Sequence, residues 1–357
     1  MMENKKALIS GCNGQDGSYL AELLLAKNYK VYGMIRRSSV DTTERIAHLI
    51  SNTNFELIEG DVTDASCMHR LISGIQPTEV YNLAAMSHVG VSFNQPITTC
   101  HINAVGPLNI LEAIRQSSPK TKFYQASTSE LFGDTKISPQ NENIPFNPNS
   151  PYAIAKLYAH NLVGLYRRAY GIFACAGILF NHESPRRGKA FVTRKITQYV
   201  AMLQNWIDVN GRIPRMDWED TTVAVDSPQK RTLTCAEIPP LALGNIDAKR
   251  DWSHAEDMVR GMWMIMQHDT PDDYVLGSGK PHSVKELLQV AFGTMGLDYK
   301  DYVVIDPKFY RPVDVNLLHA DSTKAKKILG WVPTISFGEM IDCMVQNDYR
   351  MLIECPV

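Results

Sequence analysis

The chain has 357 residues, of which 44% are hydrophobic and 21% charged, a composition typical of globular proteins and far from that of disordered chains. Its 36 basic and 38 acidic residues give a net charge of −2, which argues against a sequence-independent nucleic-acid binder. No stretch of about 18 consecutive apolar residues predicts a membrane span. A chain of this length is expected to form two lobes or one elaborated domain.

The cysteines and the N-terminus bear on the cellular compartment. The 7 cysteines are odd in number, scattered and without a C-x-x-C pair, which predicts reduced thiols rather than a disulfide framework or a zinc site. The first residues run directly into an apolar stretch at Ala7, without the longer apolar region of a signal peptide. We therefore expect a cytoplasmic protein that holds no metal.

Short apolar runs alternate with amphipathic stretches through the first half of the chain. The predicted strands are Ala7–Ser10, Lys30–Ile35, Phe55–Glu59, Val80–Leu83, Phe123–Ala126 and Cys175–Phe180. The predicted helices, with apolar residues at 3.6-residue spacing, are Ser18–Lys27, Asn103–Ser117 and Tyr152–Tyr170. This alternation predicts βαβ units, and therefore an α/β fold with a doubly wound parallel sheet and helices on both of its faces.

The pattern loosens after Phe180. Residues 181–195 are polar and basic, and residues 204–240 predict irregular or hairpin-like structure. Helices are predicted again at Ala255–Gln267, Val284–Met295 and Ser336–Asp348, with a strand at Tyr302–Ile305. Because no Pro- or Gly-rich linker separates the two regions, the chain is expected to pass between lobes more than once.

Three glycines follow the first predicted strand at G-x-x-G-x-x-G spacing, namely Gly11, Gly14 and Gly17. Glycine lets the backbone turn tightly and approach a pyrophosphate, whose charge is then stabilised at the N-terminus of the following helix. A turn that is rich in glycine for steric reasons alone is the alternative. The strand before the motif and the amphipathic helix after it favour a dinucleotide site.

Two arginines stand at the end of the second strand, where NAD-binding folds usually carry an acidic residue for the ribose hydroxyls. A guanidinium suits a 2′-phosphate, so Arg36 and Arg37 favour NADP, although a solvated basic pair is the alternative. Asp61 follows the third strand and could contact the adenine of the cofactor, but an Asx-turn would account for an aspartate at this position equally well.

The most specific pattern pairs Tyr152 with Lys156 and has Thr128 and Glu130 upstream. Positions i and i+4 share one face of a helix, so Lys156 is expected one turn from Tyr152. An ammonium at that distance favours the phenolate of a tyrosine that would otherwise be a poor base. Thr128 is expected at the carboxyl edge of the sheet, where such folds bind ligands, and Glu130 supplies a second proton acceptor.

A basic segment follows the sixth strand. Its cations could hold a diphosphate, although a solvated basic loop is the alternative; they are Arg186, Arg187, Arg194 and Lys195. His182 in the same segment is, by itself, more often a hydrogen-bonded structural histidine than a ligand, and the histidines show no metal-binding spacing.

Together these residues resemble the extended short-chain dehydrogenase/reductase superfamily and, within it, the GDP-mannose 4,6-dehydratase family. The resemblance covers Lys5–Gln204 and Leu243–Asp348 and includes several family-specific stretches: Gly14–Leu20, Arg36–Ser39, Tyr124–Leu131, Leu179–Gly188, Leu243–Asn245, Lys249–Trp252 and Phe309–Pro312. It implies a Rossmann-type domain that binds NADP, at 1–180 and 241–270. It also implies a smaller α/β lobe that binds the sugar nucleotide, at 181–240 and 271–357.

The reaction that the resemblance implies is the conversion of GDP-mannose to GDP-4-keto-6-deoxymannose, a first step towards GDP-6-deoxyhexoses. Tyr152 would take the proton of the 4-hydroxyl while hydride passes from C4 to NADP, and Thr128 would bind the same oxygen. Glu130 would take the C5 proton and assist the loss of water from C6, to which the hydride returns. The cofactor starts and ends oxidised, so it is bound rather than consumed.

The resemblance also implies binding residues and an assembly. The implied cofactor contacts are Gly11, Asn13, Gly14, Gln15, Asp16, Arg36, Asp61, Val62, Leu83, Ser87, Tyr152, Lys156, His182 and Arg187. The implied substrate contacts are Ser87, Thr128, Glu130, Tyr152, Asn181, Val192, Lys195, Leu243, Gly244, Arg250 and Arg311. Relatives form tetramers in which the loop from Arg36 to Arg45 reaches a neighbour's cofactor, so a homotetramer, or else a homodimer, is expected.

Some positions depart from the family pattern. Met86 replaces a polar residue before Ser87, Cys12 and Asn13 occupy the glycine turn, and Phe132 stands where tyrosine is usual. The largest departure is an apparent insertion near Trp206–Glu237. Its β-prone runs, 221–225 and 230–234, flank a turn-forming segment and predict a hairpin. A surface excursion, a subunit contact and a flap over the substrate remain alternatives for its role.

Two other classes of function compete with the dehydratase. A related epimerase or 4-reductase would share the fold, but a simple 4-epimerase needs no base for C5, so Glu130 favours a dehydratase. A non-enzymatic dinucleotide sensor would be expected to lose Tyr152 or Lys156, and both are present.

Overall fold

The computed structural model describes residues 5–220, 231–310 and 315–354. The chain divides into two compact units. Unit 1 comprises Met1–His182, Asp251–Pro281 and Leu317–Ile335. Unit 2 comprises Glu183–Arg250, His282–Asn316 and Ser336–Val357.

These divisions differ from the predicted domain boundaries at 180, 240 and 270, and the return of Leu317–Ile335 to unit 1 was not predicted. Side-chain carboxylates explain the difference. Asp251 accepts from the backbone N–H of Ser278 at 2.7 Å and of Ala320 at 3.1 Å, which joins the segment Asp251–Pro281 to Leu317–Ile335 within unit 1. Such contacts between distant segments leave no local pattern in the sequence.

The helices and strands are numbered in chain order. The helices are α1 (Gln15–Ala26), α2 (Ala65–Ile75), α3 (Val89–Asn94), α4 (Pro96–Cys100), α5 (Gly106–Ser117), α6 (Pro151–Tyr170), α7 (Val192–Asn210), α8 (Ala255–Gln267), α9 (Val284–Gly293), α10 (Thr323–Leu329) and α11 (Phe337–Glu354). The strands are β1 (Lys6–Ser10), β2 (Lys30–Ile35), β3 (Phe55–Glu59), β4 (Glu79–Asn82), β5 (Lys122–Thr128), β6 (Ala174–Leu179), β7 (Asn181–Glu183), β8 (Met216–Asp220), β9 (Arg231–Ala236), β10 (Leu241–Leu243), β11 (Lys249–His254), β12 (Tyr274–Leu276), β13 (Pro281–Ser283) and β14 (Val303–Ile305).

Unit 1 contains a parallel sheet with the strand order β12-β6-β5-β4-β1-β2-β3. Successive strands are laid outwards from β1 in both directions, so β1 and β4 lie side by side, with Ala7 opposite Glu79. In a doubly wound sheet, the crevice at the carboxyl ends of such a strand pair is where ligands bind. The predicted α/β fold with a Rossmann-type sheet is confirmed.

Residues of β1 point alternately to the two faces of the sheet, and each face packs on its own helices. Ala7 and Ile9 belong to a buried cluster with α1 and α8, whereas Leu8 belongs to a second cluster with α2, α5 and α6. A strand that is buried on both faces has a continuous apolar run, which is why the sequence identified β1 without any alternation of polar residues.

Unit 2 is built on helix α7, which packs against α9 and α11. The sequence predicted no helix here. Its buried residues nevertheless recur at helical spacing, at Ile196, Val200 and Leu203, and Gly211 ends the helix in the left-handed conformation. The basic residues of the first turn masked this pattern. Elsewhere in unit 2, β10 pairs in parallel with β14.

The hairpin expected within the insertion is present in part. Strands β8 and β9 pair antiparallel, with Glu219 opposite Thr232. The predicted first strand at 221–225 and the predicted turn lie outside the described residues. The first residues of the expected insertion, 206–210, form the last turn of α7. Trp218 Nε1 donates to the carbonyl oxygen of Asp301 at 2.9 Å, so the hairpin contacts another segment of unit 2.

No helix among the described residues has both the length and the apolar character that crossing a membrane requires.

Candidate active site

The glycine turn between β1 and α1 has the close backbone approaches expected of a dinucleotide site. Gly11 has φ +69°, a conformation that disfavours residues with a side chain. A Cβ on Gly17 would lie 2.6 Å from the Cα of Cys12, so only glycine lets the helix start this close to the turn. Gly14 caps α1, whose first backbone N–H groups can hold a phosphate.

The segment after β2 folds back onto this turn. Asn13 Nδ2 donates to Thr42 Oγ1 at 3.0 Å, and Arg45 Nη1 donates to the carbonyl oxygen of Asn13 at 3.4 Å. The predicted cofactor residue Asn13 therefore uses its amide to anchor this segment within the same chain.

The two arginines after β2 differ in their contacts. Arg37 pairs with Glu59 at 3.6 Å. The exposed Arg36 guanidinium has neither a hydrogen bond nor an ion pair within the part of the chain that the structure describes. Arg36 is thus the guanidinium that is available for a ligand.

The other predicted cofactor residues of unit 1 follow β3 and β4. Asp61 Oδ1 accepts from the N–H and the hydroxyl of Thr63 at 2.9 and 2.7 Å, so the Asx-turn interpretation of Asp61 describes the structure. Val62 beside it is buried. Leu83 donates its N–H to the carbonyl oxygen of Ser10 at 3.2 Å, and Ser87 is exposed a few residues further on.

Helix α6 presents the tyrosine and lysine on one face. Ser150 caps the helix through the N–H of Ala153, and Tyr152 and Lys156 are 8% and 4% exposed. Lys156 Nζ lies 5.9 Å from the centre of the Tyr152 ring and donates to the carbonyl oxygen of Ala126 at 2.9 Å. Burial lowers the pKa of Lys156 to about 8, and the charge of Asp16 acts in the opposite direction.

Thr128 and Glu130 lie in one short turn at the carboxyl end of β5. Thr128 is the last residue of the strand, and its hydroxyl accepts from the N–H of Glu130 at 3.2 Å. The Glu130 carboxylate is half-buried and has no hydrogen-bond or ion-pair partner among residues 5–220, 231–310 and 315–354. A carboxylate in this state is free to exchange protons with a ligand.

His182, Asp16 and Gln15 meet at the other side of the glycine turn. His182 Nε2 lies 2.8 Å from Asp16 Oδ2, and its Nδ1 lies 2.7 Å from the carbonyl oxygen of Phe180. Gln15 Nε2 donates to the carbonyl oxygen of His182 at 3.2 Å. The structure brings three predicted cofactor residues together, and their side chains contact one another. Asn181, a predicted substrate residue, precedes this cluster at the start of β7.

Two predicted residues of unit 2, Lys195 and Gly244, lie beside Phe309. Lys195 Nζ lies 5.1 Å from the centre of the Phe309 ring. A Cβ on Gly244 would lie 2.7 Å from the Phe309 carbonyl oxygen, so glycine is needed there. Leu243 ends β10 directly before it, and Val192 is the first residue of α7. Arg311, predicted as a substrate contact, lies outside the described residues.

The arginines of the basic segment are engaged within unit 2. Arg187 Nε lies 3.1 Å from Glu183 Oε2, and its guanidinium stacks 3.7 Å from the Phe191 ring centre. Arg250 is buried and donates to the carbonyl oxygen of Lys249 at 2.9 Å. The suggestion that Arg194 holds a diphosphate was wrong, because Arg194 is buried in an ion pair with Asp348, 2.7 Å away.

Sequence reasoning missed two supporting side chains. Asn103 accepts from the N–H of Met86 at 2.9 Å and donates to its carbonyl oxygen at 3.0 Å, which fixes the backbone directly before Ser87. His160 lies 3.0 Å from the Ser127 hydroxyl. His160 follows Lys156 at i+4, so the spacing that found Lys156 could have found it as well. For Asn103, the available signal was a polar residue at the start of a predicted helix with apolar spacing.

A comparison with protein families distinguishes between the functions considered for this site. The family model described as "GDP-mannose 4,6 dehydratase" matches residues 8–209 and 228–344. The chain belongs to the GDP-mannose 4,6-dehydratase family. The "GDP-mannose 4,6 dehydratase 2" of Caenorhabditis elegans is 45% identical, and the match covers 99% of this chain and 92% of that protein. Between its two matched parts the family model leaves residues 210–227 unmatched, a shorter segment than the predicted insertion.

Solved structures support the same fold. The UDP-glucose 4-epimerase of Thermotoga maritima, solved with UDP-glucose, superposes with a TM-score of 0.78 at 25% identity, covering 97% of this chain and 99% of that one. A dTDP-glucose 4,6-dehydratase from Streptomyces venezuelae, solved with NAD, gives a TM-score of 0.79 at 21% identity and covers 98% of each chain. Like these folds, the dehydratase described here is α/β with a parallel sheet.

Within the described part of the dehydratase, no three His, Cys, Asp or Glu side chains are grouped so as to hold a metal ion.

Proposed function

We propose that this member of the GDP-mannose 4,6-dehydratase family converts GDP-mannose to GDP-4-keto-6-deoxymannose with bound NADP as an internal hydride carrier. The observation that carries the proposal is the Glu130 carboxylate, which is half-buried, lacks a protein partner in the described chain and follows Thr128 at the carboxyl end of β5. An epimerase that acts only at C4 would have no use for such a group at C5.

The residues present fit a dinucleotide. Gly11 and Gly17 leave a cradle that a Cβ would fill, and the N-terminus of α1 follows. Arg36, which has no partner in the described chain, would hold the 2′-phosphate that distinguishes NADP from NAD. When bound there, the nicotinamide supplies a hydride acceptor for C4 and a hydride donor for C6.

Proton transfer at C4 is assigned to Tyr152. Its phenolate would take the proton of the 4-hydroxyl, and the nearby Lys156 ammonium favours that phenolate because opposite charges attract. Thr128 can donate its hydroxyl proton to the sugar oxygen, since its oxygen already accepts from Glu130. Tyr152, Lys156 and Thr128 therefore act together on one oxygen.

Elimination of water is assigned to Glu130. A ketone at C4 acidifies the C5 proton, which the carboxylate takes, and the resulting acid then protonates the leaving C6 hydroxyl. One group serves first as base and then as acid, so its proton leaves with the water and the carboxylate is regenerated. When hydride is returned to C6, C5 would take up the proton that Tyr152 removed from the 4-hydroxyl, which regenerates the phenolate.

The nucleotide part of the substrate is assigned to residues that the resemblance implies as substrate contacts. Lys195 offers a cation for the diphosphate, and Leu243 and Gly244 lie beside Phe309 among the proposed contacts. Asn181, Val192, Ser87 and Arg250 complete the proposed contacts. Arg311 is retained as a contact on the resemblance alone.

The test is incubation of the purified full chain with GDP-mannose and no added cofactor, followed by mass spectrometry. The proposal expects the product to have lost one water, because bound NADP is regenerated in each cycle. Glu130→Gln is the matched negative control. An unchanged mass of GDP-mannose with folded, NADP-loaded protein would contradict the proposed reaction, and a C4 epimer of unchanged mass would support the alternative.

We further propose a homotetramer in the cytoplasm. The segment between Arg36 and Arg45 is largely exposed, with Val40 at 68%, which suits a contact with another copy. The free cysteines suit a reducing compartment. Light scattering on the purified protein checks the assembly, and a monomer would contradict it.

A further inference from the structure

Three residues, two at the start of α1 and one on β7, form a hydrogen-bonded cluster in unit 1. Asp16 Oδ2 contacts His182 Nε2 at 2.8 Å, and Asp16 Oδ1 accepts from Gln15 Nε2 at 3.0 Å. The same Gln15 amide donates to the carbonyl oxygen of His182 at 3.2 Å. The side chains of His182 and Asp16 are only 12% and 21% exposed. The resemblance assigns them to the cofactor, but in the structure they contact each other.

The contacts of His182 indicate its charge. Its Nδ1 faces the carbonyl oxygen of Phe180, and its Nε2 faces the carboxylate of Asp16. Both oxygens accept hydrogen bonds, and a neutral imidazole carries a single N–H. The imidazolium, which carries two, is therefore the state that satisfies both contacts.

Asp16 lies in the first turn of α1, directly after the glycine turn. A bare carboxylate there would repel the phosphates of a dinucleotide, because charges of the same sign repel. We propose that the imidazolium of His182 neutralises Asp16, and that this ion pair keeps the first turn of α1 able to accept the dinucleotide phosphates. His182 is then a positioning residue whose protonation sets cofactor affinity. The inference rests on the proposed function for one point, that the glycine turn binds NADP.

Other ionisable groups of unit 1 face the pair. Burial lowers the pKa of Lys156 on α6, and the negative charge of Asp16 partly opposes this shift. Burial lowers the pKa of His254 at the N-cap of α8; the charges of Glu256 and Asp257 partly oppose this shift, and the charge of His182 adds to it. Burial raises the pKa of Tyr124 on β5, so this phenol is neutral. Loss of the His182 proton therefore lowers the local charge by one unit.

The test is equilibrium dialysis of the full chain against free NADP at a series of pH values between about 6 and 8.5, which bracket the usual range of a histidine. In His182→Gln, which keeps an amide N–H but loses the charge, the affinity at pH 6 is expected to fall about tenfold relative to wild type. The loss should shrink as pH rises, because wild-type His182 is then neutral too. The 2′-phosphate also titrates near pH 6, and the ratio of variant to wild type cancels that contribution.

Asp16→Asn provides the second arm. Because this variant lacks the carboxylate, it should bind NADP more tightly than His182→Gln does. Adding His182→Gln to Asp16→Asn should then lower the NADP affinity by less than about twofold. Equal losses from His182→Gln in the two backgrounds, or a loss that does not change with pH, would overturn the proposal. His101→Gln, the same change at an exposed histidine of unit 1, is the matched control.

A second measurement covers the case in which His182→Gln does not fold. Calorimetry of NADP binding to the wild type and to Asp16→Asn, in buffers of different ionisation enthalpy, counts the protons taken up on binding. At about pH 8 the wild type is expected to take up more protons than Asp16→Asn, and equal uptake would overturn the proposal. Failure of every form to bind NADP would instead refute the proposed function, so the two failures are distinguishable.

Discussion

At the scale of single residues, the Glu130 carboxylate carries the chemical step that separates a dehydratase from an epimerase. In Glu130→Gln the shape is kept, but the amide cannot take the C5 proton. Turnover of GDP-mannose should fall by about 10²–10⁴-fold, the usual effect of removing one acid–base group. A single-turnover rise in NADPH absorbance should persist, because oxidation at C4 precedes this step. Glu354→Gln, at an exposed position, is the control; turnover of Glu130→Gln within threefold of wild type would refute the assignment.

Lys156 combines a functional requirement with a cost in stability. Burial lowers its pKa to about 8, so the unfolded chain binds more protons than the native state between about pH 8 and the usual lysine value. The burial cost is therefore present at neutral pH and is relieved as pH rises through this window. Lys156→Met should raise the melting temperature at pH 7 by a few degrees while abolishing turnover.

The same pKa sets the pH dependence of turnover. Wild-type turnover should decline as pH rises through about 8, because the ammonium that supports the Tyr152 phenolate is lost. Lys120→Met, at an exposed position, should change neither the melting temperature nor the pH dependence of turnover. A lower melting temperature for Lys156→Met at pH 7 would contradict the burial argument.

Arg36 is expected to set the choice between the two nicotinamide dinucleotides. A charge-assisted hydrogen bond contributes about 1.5–3 kcal/mol, so NADP should bind at least about tenfold more tightly than NAD. Arg36→Ala should remove most of this preference, whereas Arg37→Ala should retain it, because Arg37 is paired with Glu59. The check is the identity of the nucleotide extracted from purified protein together with the affinities for both; NAD as the main bound species would refute it.

At the scale of elements, a buried ion pair joins α7 to α11 within unit 2. Arg194 and Asp348 are 7% and 5% exposed, and Asp348 also accepts from Thr197 at 2.7 Å. Asp348→Asn should lower the free energy of unfolding by about 3–5 kcal/mol, because it leaves a buried guanidinium without its counter-charge. Asp134→Asn breaks the exposed pair with Lys136 and should cost less than about 1 kcal/mol. Similar losses for both variants in urea unfolding would contradict the prediction.

At the scale of the whole molecule, the open question is the role of the β8–β9 hairpin. An isolated hairpin is marginal in water, and this one is held by Trp218 on the Asp301 carbonyl and by the paired side chains of Arg212 and Glu237. Replacing residues 216–236 with a short Gly/Ser linker leaves α7 intact. We expect unchanged turnover and unchanged mass by light scattering, as for a surface excursion.

The other outcomes of this replacement separate the alternatives. A smaller particle would support a subunit contact, and a raised KM for GDP-mannose at unchanged mass would support a flap over the substrate. Trp218→Phe, which keeps an aromatic ring but loses the N–H donor, separates the loss of this single contact from the loss of the hairpin.

The sequence by itself determined the features that depend on near neighbours in the chain. Strands β2 and β3 begin and end where their apolar runs do, and Lys156 faces the same way as Tyr152 because positions i and i+4 share a helix face. The glycine turn was likewise predicted from its spacing. These features follow from backbone geometry over a few residues, which the sequence encodes directly.

Only the tertiary structure decided the contacts between distant segments. Asp16 pairs with His182 across 166 residues, Arg194 is buried against Asp348 instead of binding a diphosphate, and Leu317–Ile335 returns to unit 1. A charged residue has the same appearance in the sequence whether it meets a ligand, solvent or a buried partner. Which of these it meets depends on the packing of the whole chain, because burial and the nearest opposite charge are set by segments that no local pattern connects.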